Sequence, residues 1–285
     1  MLKQRVITAL ALLLVLIPAV LYPDARVFSA LMLLVIAAAG WEWARMNDAP
    51  AIGTLAGPVL CLGVCGGVWW SGFLQQTMVA LWLTAGALWV LTGAWVLRTG
   101  VAAWSGHSRS LRLGLGWLAL CLTWLAVVQA RLVGVNFLMS VLALVWVADI
   151  GAYFSGRAFG GKFTRSKLAA SISPGKSWEG VWGGMLGVVV LAFGWQYADA
   201  VNMAQVPSLY TVVGQHGWGL LLLVAVFLSL MSVVGDLVES LVKRSAGVKD
   251  SSGLLPGHGG VLDRIDALLP TLPLAMMLYV YANLP

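Results

Sequence analysis

The sequence predicts an all-α, polytopic integral membrane protein with about nine transmembrane helices, its N-terminus inside, its C-terminus outside, and a polar cavity facing the cytoplasm. Three observations predict it. The 285 residues are 60% hydrophobic and 10% charged, where a soluble chain would carry about 25% charge. Apolar runs of roughly 20 residues, the length that crosses a bilayer, recur along the whole chain. The Lys and Arg residues gather in alternate loops.

The first span, 5–22, belongs to "KQRVITALALLLVLIPAV". It has the charged start and apolar run of a signal peptide but no clear small-x-small cleavage site, and further spans follow, so it reads as a retained first helix. The second, 27–45, is an apolar run between polar breaks. The third, 51–70, is diluted by Gly53, Gly57, Gly63, Gly66, Gly67 and Pro58, for which close helix packing is the ordinary explanation. The fourth to ninth follow at 76–97, 112–130, 133–151, 179–198, 217–237 and 265–283. Cys61, Cys65 and Cys121 lie in apolar stretches without paired-Cys or Cys/His metal spacing and read as membrane-core packing.

With the N-terminus inside, 15 of the 17 basic residues face the cytoplasm and only Arg26 and Arg131 fall outside. That asymmetry orients the chain, and losing one span would scramble it. The net charge of +6 does not point to a nucleic-acid partner, because no soluble basic face exists to carry one. Seven of the eleven acids, Asp149, Glu179, Asp236, Glu239, Asp250, Asp263 and Asp266, lie in the second half of the chain, at cytoplasmic helix ends or in cytoplasmic loops. Ionisable groups near hydrocarbon are costly unless paired, hydrated or bound to metal, so such clusters usually mark function. Residues 1–132 therefore read as a transmembrane scaffold or lipid-facing groove, and 133–285 as the region that builds the polar cavity, which the family resemblance given below makes the catalytic one.

Within that region the loop after the sixth span places Arg157, Lys162, Arg165, Lys167 and Lys176 among glycines and hydroxyls, behind Asp149 at a helix end. This suits a phosphate-bearing anion; contact with anionic lipid headgroups explains the same charges. The tripeptide Gly175–Ser177 is no P-loop, since Ala170 stands where a glycine is required. Ser173 or Ser177 is positioned to cap the seventh helix, with Pro174 near its first turn and Glu179 just inside it. Asp236, Glu239 and Lys243 share one helical face; a salt-bridged helix end suits Glu239 with Lys243 but leaves Asp236 unexplained. Asp263 and Asp266 repeat the three-residue spacing at the start of the last span, where acids also favour the helix dipole. Carboxylates converging from two helices beside basic loops are what Mg²⁺ needs, since it takes hard oxygen ligands and keeps substrate phosphates in its shell. In "PGHGG", the glycines let backbone approach a ligand, and His258 either meets a phosphate or holds the loop.

The stretch "SLVKRSAGVKDSSGLLPGHGGVLDRID", Ser240 to Asp266, resembles the signature of CDP-diacylglycerol synthases, or phosphatidate cytidylyltransferases: Ser-x-x-Lys-Arg, four residues, Lys-Asp, then His-Gly-Gly-x-x-Asp-Arg-x-Asp. "GDLVES" and the Asp149-to-Glu179 loop resemble that family's other cytoplasmic segments. Two positions depart from it: Ile150 where Thr is common, and Gly175 where Lys is common. The resemblance implies that CTP and phosphatidic acid yield CDP-diacylglycerol and pyrophosphate in phospholipid biosynthesis. It implies Mg²⁺ on Asp236 and Asp263, with Glu239 and Asp266 beside them, and leaves room for a monovalent cation such as K⁺. Catalytic roles fall to Asp236, Asp263, Lys249 and Arg264. Substrate contacts fall to Asp149, Arg157, Lys176, Ser177, Glu179, Lys243, Arg244, Asp250, His258, Gly259 and Gly260. Arg264 and Asp266 alternatively brace the loop as a pair. The resemblance also implies a homodimer in the bacterial cytoplasmic (inner) membrane.

Such a reaction needs positioning and charge neutralisation rather than a nucleophilic side chain. The nearest rival is a CTP-dependent lipid-alcohol kinase, which transfers the γ-phosphate. The Asp-Gly-x-x-Ala-Arg run of alcohol phosphatidyltransferases is not found. An ion-coupled transporter would show inverted repeats and midplane charges, which this chain does not.

Overall fold

The computed structural model describes residues 2–284. Its helices are α1 (Leu2–Leu21), α2 (Ala25–Met46), α3 (Ala51–Trp70), α4 (Val79–Gly106), α5 (Arg109–Val133), α6 (Val135–Phe159), α7 (Trp178–Val201), α8 (Leu209–Gly214), α9 (Trp218–Ser245), α10 (Leu262–Ile265) and α11 (Leu268–Ala282). Among the described residues there is no β-strand, and nine helical stretches are long and apolar enough to span a membrane. The ninth, Leu262–Ala282, is α10 and α11 in succession.

Two helices outrun the apolar spans that mark them: α6 continues to Phe159 and α9 to Ser245, against expected ends at 151 and 237, whereas α4 breaks at Gly100, close to its expected end at 97. Hydropathy marks bilayer depth, whereas helical hydrogen bonding continues wherever the backbone stays regular. α4 takes a non-helical step at Gly100, φ 80° and ψ 178°, which separates residues 101–106 as a short helical segment of their own. α7 begins at Trp178, so Pro174 lies in the loop before it; Ser177 is the N-cap and accepts from Gly180 N at 3.2 Å.

α11 packs against α4, α5 and α9, while α2 packs against α3 and α5. Phe137, Leu138, Val141, Leu144, Leu228 and Leu274 lie fully inside. Three fully or nearly buried indoles find acceptors: Trp82 on Gln129 Oε1, Trp124 on Ser29 O and Trp43 on Arg112 O. α1 and α3 present long apolar faces outward.

α6 and α7 pack backbone against backbone. A Cβ at Gly180 would stand 2.9 Å from Ala152 O, and one at Gly184 2.7 Å from Ala148 O. Small residues let these backbones touch, which fixes Asp149 of α6 relative to the start of α7. Close packing accounts for only part of the α3 glycines. Gly57 meets Gly40 O, but Gly63, Gly66 and Gly67 have nothing within 4 Å. Cys61 and Cys65 are buried and all three cysteines are free thiols.

At the end of the bundle away from the acidic cluster, Arg131 Nε and Nη2 staple the α1–α2 turn through Val20 O and Tyr22 O. Asp199 there accepts from Asn136 Nδ2, Ser208 N and Thr211 Oγ1, tying α6, α7 and α8 together.

Candidate active site

Glu42 of α2, Asp149 of α6, the start of α7, Asp236 to Lys243 of α9 and the loop before α10 meet at one end of the bundle. Two groups of residues form there, joined by α9.

The first lines a cavity of about 510 Å³ between α6, α7 and α9, with Asp149, Tyr153, Arg157, Lys176, Ser177 and Asp236 on its wall. Lys176 Nζ pairs with Asp236 Oδ2, across 60 residues of sequence, and Ser240 Oγ donates to Asp236 Oδ1 at 3.2 Å. Asp236, unexplained as a helix-end salt bridge, is thus balanced from the basic loop. Arg157 Nη1 reaches Tyr153 Oη at 3.1 Å. A smaller cavity of about 290 Å³ adjoins it under the loop, sharing Gly156, Gly175, Lys176 and Ser177 and reaching Arg165, Lys167 and Glu179. Buried Glu179 Oε1 holds that loop in place by accepting from Phe163 N, Thr164 N and Thr164 Oγ1.

The second group is a buried chain of charge. Lys243 Nζ pairs with Glu239 one turn earlier and lies 2.6 Å from Asp263 Oδ1. Asp263 Oδ2 accepts from Gly260 N at 2.7 Å and from Ser251 N and Oγ, both at 3.0 Å. The two glycines of "HGG" are required by this arrangement. Gly259 has φ +82°, a conformation that favours glycine, and a Cβ on it would stand 2.6 Å from Asp263 Oδ2; one on Gly260 would stand 2.0 Å from Ser251 Oγ and 2.4 Å from Glu42 Oε1. The close approach they permit here is to the protein's own carboxylates.

Asp266 sits at the break between α10 and α11, its Oδ1 accepting from Ala267 N, with Asp236, Lys243 and Asp149 as its charged neighbours. The Arg264–Asp266 brace considered from sequence does not form. Arg264 instead donates from Nε and Nη2 to His258 O, at 3.1 and 2.7 Å, closing the loop on its own backbone. Arg244 braces in a similar way, to Ile172 O and Val248 O. His258 Nδ1 is buried without a partner. Lys249 and Asp250 stand exposed in the loop.

Sequence reasoning missed three contributors from the first half of the chain. Glu42, fully buried, accepts from Ser251 Oγ at 3.1 Å, Ser252 Oγ, Val261 N at 2.9 Å and Leu262 N at 2.6 Å. Arg5 Nε and Thr8 Oγ1 of α1 donate to Gly257 O and Pro256 O, at 3.0 and 2.9 Å. The available signal was Glu42 itself, an acid one turn inside the end of an apolar span.

The donor chemistry fits a hard divalent cation. Asp236, Asp263, Asp266 and Asp149 supply carboxylate oxygens, and a lysine ammonium already occupies the cation position on both Asp236 and Asp263. No group of three His, Cys, Asp or Glu among the described residues forms a preassembled cage.

The fold and site together are those of a polytopic helical membrane protein with a mixed-charge cavity at one end of its bundle. Comparison with known proteins makes this specific. The cytidylyltransferase family model matches residues 3–282, and the chain belongs to that family. It is 39% identical over 287 residues to the phosphatidate cytidylyltransferase of Pseudomonas aeruginosa, covering 96% of this chain and 95% of that one. It is 48% identical over 148 residues to that of Haemophilus influenzae, covering 52% of this chain and 47% of that one. Against the Staphylococcus epidermidis enzyme it is 38% identical over 152 residues. The protein is a nucleotidyltransferase with multiple membrane-spanning helices.

Proposed function

We propose that this protein converts CTP and phosphatidic acid to CDP-diacylglycerol and pyrophosphate in phospholipid biosynthesis, as a homodimer in the bacterial inner membrane with its site facing the cytoplasm. The observation that carries this reading is the near full-length identity with a phosphatidate cytidylyltransferase. The bias of 15 basic residues against 2 supports the orientation. Residues 133–285 supply most of the reacting surface, and residues 1–132 its support.

A phosphate oxygen of phosphatidate attacks the α-phosphorus of CTP; the new P–O bond forms as the bond to the bridging oxygen of pyrophosphate breaks. The nucleophile is already ionised, so no side chain has to remove a proton. The chain's own task is to bring two anions together, which positioning and fixed charge accomplish. Lys176 and Arg157 on the cavity wall, with Lys243, Arg244, Lys249 and Arg264 from the other side, offset the triphosphate and lipid phosphate charge. Arg264 also fixes the His258 turn, so that loop and substrate share one rigid edge. Asp236 and Asp263 would hold Mg²⁺, with Glu239 and Asp266 near and K⁺ as a companion ion. Such an ion supplies charge neutralisation on the phosphate oxygens.

The test uses purified protein in nanodiscs with phosphatidate and CTP labelled at either the α or the γ phosphate, comparing wild type with Asp263→Asn across a Mg²⁺ titration. α-Label in lipid, γ-label in pyrophosphate and an inactive but folded variant are expected. γ-Label in lipid would establish the kinase instead, and no transfer of either label would overturn the enzyme assignment.

A further inference from the structure

We propose that Glu42, on α2 and outside the signature segment, is a positioning residue for cytidylyl transfer: it holds Asp263 and the loop around it in reacting geometry. This rests on the reaction proposed above.

Glu42 is 0% exposed and no Lys or Arg pairs with it among the described residues. A buried carboxylate without a counter-cation is costly unless hydrogen bonds satisfy it. Ser252 Oγ, Val261 N and Leu262 N, all from one short segment, do so, joined by Ser251 Oγ, whose single proton is shared between Glu42 and Asp263. Oε1 takes Ser252 Oγ and Val261 N, and Oε2 takes Ser251 Oγ and Leu262 N. One carboxylate therefore clips together both ends of the loop 251–262. Asp263 follows directly on Leu262, and Ser251 touches both acids, its Oγ lying 3.1 Å from Glu42 Oε2 and 3.0 Å from Asp263 Oδ2. With Oδ2 of Asp263 immobilised by Ser251 and Gly260, Oδ1 is presented to Lys243. A second-layer carboxylate that fixes the orientation of a reacting one is what such sites generally require.

An amide cannot replace this clip. Each oxygen of Glu42 faces one backbone N–H, so the amino group of Glu42→Gln meets an N–H donor in either orientation and leaves that backbone group without an acceptor. The serine hydroxyls can rotate, but Val261 N and Leu262 N cannot. Glu42→Asp keeps two acceptor oxygens and retracts them by one methylene.

The experiment measures kcat, KM for CTP and hydrogen exchange of the metal-free protein for wild type, Glu42→Gln, Glu42→Asp and Ser252→Ala in nanodiscs. Expected for Glu42→Gln is faster exchange confined to 251–262, a kcat at least tenfold lower and a KM for CTP within about threefold of wild type. Glu42→Asp should recover part of kcat, and Ser252→Ala should lose only a few-fold. A loosened loop with unchanged kcat overturns the proposal. So does an exchange increase across the whole chain with a normal kcat per folded molecule, which marks a purely structural residue. If Glu42→Gln does not fold, the other two variants decide: kcat within twofold of wild type in both overturns it. A wild type that transfers no cytidylyl group refutes the reaction itself, while the exchange data still report on the clip.

Discussion

Replacing Lys243 by Met isolates the electrostatics of the site from its packing. The lysine side chain is 11% exposed and bridges Glu239, 1% exposed, to Asp263, 5% exposed. Glu239 Oε2 meets the Lys243 ammonium and no other donor reaches either oxygen, so this ammonium is what balances its charge. Met is close to Lys in length and fills the same channel, so the loss is chiefly of charge. Removing one member of a buried ion pair typically costs about 3–5 kcal/mol, because the remaining carboxylates are left buried and facing each other. At about 2–4 °C per kcal/mol for a chain of this general size, Tm should fall by roughly 6–20 °C, read by tryptophan fluorescence in detergent. The double variant Glu239→Gln/Lys243→Met removes one of the stranded charges and should regain about 1–3 kcal/mol relative to additivity. A Lys243→Met protein within about 1 kcal/mol of wild type, or a double variant showing no coupling, would refute the view that this triad is tightly buried and mutually dependent.

Two further outcomes are expected. Gly184→Val forces a side chain against Ala148 O, which lies only 2.7 Å from where a Cβ at that glycine would stand; it should separate α6 from α7, lower stability by about 1–3 kcal/mol and raise KM for CTP, since Asp149 and Ser177 line the same cavity. An unchanged KM would mean that the seam does not set the cavity. Asp199→Asn turns an amino group toward either Asn136 Nδ2 or Ser208 N and should cost about 1–3 kcal/mol while leaving kcat and KM at wild-type values, because the staple lies at the opposite end of the bundle; a fall in kcat per folded molecule would contradict that separation.

The opening of the seventh helix shows where sequence reading succeeds and where it stops. A serine cap for this helix, narrowed to Ser173 or Ser177, and Glu239 with Lys243 on one helical turn depend on neighbours within four residues and were legible in the sequence; the structure selects Ser177. Lys176 with Asp236, Arg264 with His258 O, and Ser251 with both Asp263 and Glu42 involve choices among several charged or polar candidates at the same depth. Local spacing cannot make those choices.

Sequence alone therefore determined the membrane class and the nine apolar spans, and drew attention to the charged stretch from Ser240 to Asp266, because hydrophobicity, charge placement and short-range periodicity are properties of contiguous residues. Only the tertiary structure decided which lysine neutralises which aspartate, that α10 and α11 part at Asp266, and that α1 and α2 grip the loop through Arg5, Thr8 and Glu42. Those outcomes depend on which helix ends meet, and a buried carboxylate takes whatever donors the packed backbone brings to it.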